Sequence, residues 1–101
     1  MSNSIKVRTS VRNNTVTVRM LVRHAMEVGG VRANGERVAA HFIKEITCTH
    51  NGKTVMVGHW GAGIAKNPYL SFTIRDAAVG DELRIRWVDN QGGIDEFATR
   101  I

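Results

Sequence analysis

The chain has 101 residues, 43% of them hydrophobic, with a formal net charge of +5 and a pI near 10.2. That length holds one domain, residues 1–101, with a single two-layer core, and the apolar content argues against intrinsic disorder. No apolar run approaches the roughly 18 residues of a spanning helix, so no membrane is expected as a partner, and the opening MSNSIKVRTS lacks the apolar core of a secretory signal.

Strand periodicity runs through almost the whole chain. Ile5, Lys6, Val7 and Arg8 alternate apolar and cationic. Thr15 to Val22 puts Val16, Val18, Met20 and Val22 on one face, with Leu21 interrupting the polar side. His24 to Val38 breaks the rhythm. Its two glycine-bearing pairs, Gly29-Gly30 and Asn34-Gly35, suit a long connection between sheets, and loops of that length are often functional. His41 to His50 is the next strand. Asn51-Gly52 is the clearest hairpin signal, because both residues tolerate positive φ, and Thr54 to Trp60 returns from it. Gly61 and Gly63 are expected to permit a bend, and Pro68 to open a strand at Tyr69 to Arg75 that turns Leu70, Phe72 and Ile74 inward. Glu82 to Asp89 buries Leu83, Ile85 and Trp87 and turns Arg84 and Arg86 outward. Asp89 to Gly93 turns, and Ile94 to Ile101 is the last strand. Seven short antiparallel strands without an amphipathic helix read as an all-β, immunoglobulin-like β-sandwich, with Trp87 and Phe72 at the centre of its core.

The glycine-rich stretch GHWGAGIAKNPYLSF, Gly58 to Phe72, is not a phosphate loop: it has no GK[ST] string and runs into a strand rather than a helix. The cations Lys6, Arg8, Arg12, Arg19, Arg23, Arg75, Arg84 and Arg86 fall at strand alternation, with no basic helix and no aromatic ladder. A solvated polar face is therefore expected rather than nucleic-acid binding. Cys48, His50, Met56 and His59 superficially suggest a copper site. Yet Cys48 and His50 lie two apart on one strand beside a tight hairpin, and zinc spacings are absent. The expectation is a buried cysteine, ordinary histidines and no metal or other cofactor. A mid-strand Cys48 gives no sign of a reactive thiolate, and Glu27, Glu45 and Asp89 are not paired by spacing, so no catalytic residue is expected. Chemistry alone points to a binding or scaffold domain. A generic β-sandwich adaptor and a small metal-binding protein using Cys48 and the histidines remain the alternatives.

Six strings, in order, are more specific: HAMEVG (24–29), HFIKEIT (41–47), NGK (51–53), HWG (59–61), KNPYLSF (66–72) and WVDNQG (87–92). On these the chain closely resembles the SoxZ family, a subunit of the SoxYZ sulfur-carrier complex of thiosulfate oxidation. The resemblance implies the same sandwich. It also implies a SoxY-like partner whose C-terminal Gly-Gly-Cys-Gly-Gly arm carries the sulfur intermediates, in a heterodimer or higher assembly that meets the other Sox enzymes transiently. This chain ends Phe97-Ala98-Thr99-Arg100-Ile101 without such a cysteine, which matches the non-carrier subunit. The resemblance moves the expected location from the cytoplasm to the periplasm, reached by export with the partner. Partner contacts are expected at His24, Met26, Glu27, Trp60, Lys66, Asn67 and Tyr69, polar or large apolar residues beside loops. The basic surface is expected to steer anionic thiosulfate and sulfonate adducts.

Overall fold

Alternation becomes architecture in the computed structural model, which describes residues 4–101; residues 1–3 of the amino-terminal stretch lie outside it. Nine strands form and no helix does among the described residues: β1 (Ile5–Arg12), β2 (Thr15–Val22), β3 (Gly30–Val31), β4 (Arg37–Val38), β5 (Ile43–His50), β6 (Lys53–His59), β7 (Tyr69–Arg75), β8 (Glu82–Asp89) and β9 (Ile94–Arg100). The main strands make two antiparallel sheets, β1-β2-β7 and β6-β5-β8-β9. This is an immunoglobulin-like sandwich in which the fourth long strand pairs on the side of the third.

The core is the inward half of each strand. Val16, Val18, Met20 and Val22 from β2 meet Ile43, Ile46 and Cys48 from β5 and Leu83, Ile85 and Trp87 from β8, all buried. Burying each large aliphatic side chain contributes about 1.5–3 kcal/mol, so the two central strands β5 and β8 carry much of the stability. Trp87 is core as expected, but Phe72 is only half-buried. It sits on β7, an edge strand paired to β2 alone, so no further strand covers that side of it.

Turns explain the strand ends. Asn51 (φ 48°) and Gly52 (φ 83°) close the expected hairpin. Asn13 (φ 51°) and Asn14 (φ 61°) close a second one the same way, joining Arg12 at the end of β1 to Thr15 at the start of β2. The expected bend after β6 forms at Gly61 to Ile64, where the Ile64 N–H donates to the Gly61 carbonyl (3.2 Å) with neither glycine left-handed, and Asn67, at φ 51°, redirects the chain again before β7. The long 24–38 segment is not structureless. It contains β3 and contributes Arg37 and Val38 to β4, and Glu27 bridges His41 with reciprocal backbone bonds of 2.6 and 2.9 Å.

Candidate functional site

Segments remote in sequence meet at one end of the sandwich. Asn67 and His24 clamp each other: the His24 N–H donates to Asn67 Oδ1 (3.1 Å) and the Asn67 N–H donates to the His24 carbonyl (3.0 Å). The Val22 N–H donates to the Pro68 carbonyl. On the other side, the Phe42 N–H donates to Asn90 Oδ1 (2.8 Å), and the side-chain amides of Asn90 and Gln91 both donate to the Ala40 carbonyl (2.9 Å each). The strings HAMEVG, KNPYLSF, HFIKEIT and WVDNQG are thereby drawn into one constellation.

Asp89, at the end of β8, is its hub. Its side chain is 3% exposed and every donor around it converges. Oδ1 accepts the N–H groups of Gln91 (3.0 Å) and Gly93 (2.7 Å), which shapes the turn after β8. Oδ2 lies 3.2 Å from His24 Nε2 and 2.8 Å from His41 Nε2. Burial pushes the Asp89 carboxyl up; the hydrogen bonds from His24, His41, Gly93 and Gln91 outweigh it and hold the pKa at about 2, below the ordinary 3.8. Gly93 is required here by space, since a Cβ there would fall 2.4 Å from Asp89 Oδ2.

The tautomer of His24 follows from its neighbours. The Met26 N–H donates to Nδ1 (3.0 Å), so the neutral ring carries its proton on Nε2 and gives it to Asp89. Met26 holds φ 49° to make that bond, and its sulfur accepts the Ile43 N–H at 3.4 Å. The His24 ring packs edge-on against His41 (4.5 Å between centroids) and Trp87 (5.3 Å). His24, His41 and Asp89 present ligand atoms within 4.8 Å of one another, close enough to hold a metal ion. A metal on His24 Nε2 would have to displace the proton that the Met26 bond places there, and ligating imidazoles ordinarily donate from the other nitrogen rather than accept. The geometry is that of a satisfied hydrogen-bonded triad.

The expected contact residues fall into three groups. His24 and Met26 are buried, 8% and 5% exposed, and fix the ends of the loops from inside. Glu27 and Trp60 are half-buried, whereas Lys66, Asn67 and Tyr69 are exposed. His41 and Asp89 complete the constellation but were not expected in it. No sequence spacing links positions 24, 41 and 89; the only trace was that all three lie in strings carrying the family resemblance.

Cys48 stands apart from the triad, in register with Met56 and Ile85 and fully buried. Burial pushes its thiol up to about 11. The thiol should therefore resist iodoacetamide in the folded chain and react only as urea unfolds it. Mass spectrometry of the alkylated chain checks this; fast stoichiometric labelling without denaturant would contradict it.

Comparison with solved structures places the fold. A variant of superoxide reductase (neelaredoxin) from Ignicoccus hospitalis aligns with TM-score 0.65 at 17% identity, covering 99% of this chain and 79% of that one. A hypothetical protein from Pyrococcus horikoshii aligns with TM-score 0.65 at 14% identity, covering 99% and 88%. At such identities the likeness is one of fold. No curated relative matches the chain. The family described as sulphur oxidation protein SoxZ matches residues 5–100, nearly the entire sandwich including the triad and all the segments knitted around it. The chain belongs to the SoxZ family, and so to the Sox system of sulfur oxidation.

Proposed function

We propose that this chain is the non-catalytic scaffold subunit of a SoxYZ-type sulfur carrier, binding a SoxY-like partner and helping to present that partner's cysteine-bearing arm in the periplasm. The observation that carries this reading is the family match over residues 5–100. Two features of the chain support it. Its one cysteine is buried with a raised pKa and cannot carry a sulfur intermediate as it stands. The polar groups of the loop end are spent on one another, Asp89 accepting four N–H groups, which suits a fixed surface better than proton transfer.

The partner would meet the exposed side of the knitted end. Tyr69, 61% exposed, offers a rigid amphipathic anchor, close in the chain to exposed Lys66 and Asn67, and half-buried Trp60 packs on the core with its backbone N–H donated to the Lys44 carbonyl. His24 and Met26 act through position, since Asn67 is held by the His24 backbone.

Co-expression with the neighbouring SoxY-like subunit, followed by size-exclusion chromatography and intact mass, tests the reading. A one-to-one complex with sulfur adducts on the partner's cysteine and none on Cys48 is expected. Tyr69→Ala should weaken the complex about tenfold or more if Tyr69 is an interface anchor. A chain that elutes alone, or that carries the adduct itself, would overturn the proposal.

A further inference from the structure

The cations that look scattered in sequence are sorted by the fold. On the three-stranded sheet, the register of β1 with β2 and of β2 with β7 sets Arg8 directly opposite Arg19, and Arg12 and Arg75 on either side of Thr15. Lys6 lies one row beyond, opposite Leu21, which pairs with Tyr69. Lys6, Arg8, Arg12, Arg19 and Arg75 are all exposed on the outer face of this sheet, and the strands place no Asp or Glu among them. Among the described residues none of the five has an ion pair, whereas Arg84 on the other sheet reaches both Glu82 and Glu96. Like charges directly opposite on neighbouring strands cost stability, and one carboxylate at either position would relieve it. The second sheet uses that remedy and this one does not. An open trough of about 340 Å³ runs between Lys6, Arg8 and Arg19, with Leu21 and Tyr69 on its walls.

We propose that the outer face of the β1-β2-β7 sheet is a docking surface for an acidic face of a protein partner. The arrangement of the charges selects that class. Cations two apart on a strand are about 7 Å apart, so the set from Lys6 to Arg12 spans about 20 Å and meets a row of carboxylates rather than one small anion. No backbone N–H groups converge there, because β2, the central strand, is paired on both sides. A nucleic acid would seek stacking surfaces, and Tyr69 is the one aromatic side chain on the face. Tyr69 borders both this face and the loop end, but this proposal rests on the five cations of the sheet, whereas the SoxY-binding proposal rests on the loop end and the family match.

The test is NMR titration of the isotopically labelled full-length chain with poly-L-glutamate at low and physiological ionic strength. Shifts are expected in β1, β2 and β7, weakening with salt. The double variant Arg8→Gln/Arg19→Gln should lose about tenfold in affinity. Arg84→Gln/Arg86→Gln makes the same change in net charge on the other sheet and should lose less than about twofold. If the first double variant fails to fold by circular dichroism, Lys6→Gln/Arg12→Gln replaces it with the same expectation. Equal losses on the two sheets would reduce the effect to net charge and overturn the proposal. So would shifts confined to other strands. Tighter binding of sulfate or of single-stranded DNA than of poly-L-glutamate to these strands would also overturn it.

Discussion

Alanine in place of Asp89 should destabilise the protein by about 3 kcal/mol, measured by urea unfolding, because it strands four donors at once, the buried His24 ring among them. Two of them are backbone N–H groups of the turn after β8, and two are imidazole nitrogens at 3.2 and 2.8 Å. Asp89→Asn is the more informative variant. Its amide oxygen can still accept from Gln91 and Gly93, but its NH2 then faces the rings. His24 cannot accept from that NH2 by changing tautomer, because its Nδ1 already holds the Met26 N–H. A loss of about half the alanine value is expected, with amide exchange accelerated in the 24–29 and 89–93 segments. The pH dependence has a definite sign. The folded pKa of Asp89, about 2, lies below the ordinary 3.8. The carboxylate's contribution is therefore complete above about pH 4 and is lost as pH falls towards 2, roughly 2 kcal/mol in all. Wild type should lose stability across that window more steeply than Asp89→Asn. Parallel curves would mean that the carboxylate is not preferentially ionised in the folded chain.

The elements themselves were legible because a half-buried strand writes its burial into every second residue. Alternation alone places Val16, Val18, Met20 and Val22 inward, and all four are buried. Asn51-Gly52 was legible for a related reason: turn chemistry is local. What escaped the sequence was non-local. Asp89 reads as an ordinary turn former until β8 delivers it between His24 and His41, 65 and 48 residues away in the chain. The charge asymmetry escaped for the same reason. Strand alternation says that Arg8 and Arg19 face outward, but only the β1–β2 register says that they face outward together. Phe72 was placed too deep because alternation identifies the side of a strand, not whether the strand lies at a sheet's edge. The turn at Gly61 to Ile64 was legible, but the left-handed step at Asn67 was not: asparagine enters that region at modest cost, and here it gains a clamp with His24, 43 residues away.

Two glycines with nearly the same backbone should respond to alanine very differently, and the difference reports how tightly the loop end is built. Gly29 holds φ +81° and Gly35 holds φ +84°, so a Cβ meets the same left-handed strain at each, about 1 kcal/mol. At Gly35 the added Cβ meets nothing within 4 Å. At Gly29 it would lie 2.9 Å from the Ala40 backbone nitrogen and 3.2 Å from the Val38 carbonyl oxygen, atoms that cannot swing aside like a flexible side chain. Relief requires moving the 38–40 backbone, and His41, next along, is bridged to Glu27 and bonded to Asp89. Gly35→Ala should therefore cost about 1 kcal/mol and leave the protein's NMR spectrum unchanged outside the 32–36 turn. Gly29→Ala should cost about 2–4 kcal/mol and shift resonances of His41, Asp89 and Asn90. The functional consequence separates in the same way. If the partner docks on this end, Gly29→Ala weakens the heterodimer and Gly35→Ala does not. Equal stability losses in the two variants would show that the Gly29–Ala40 approach is soft, and that the end is held by the triad alone.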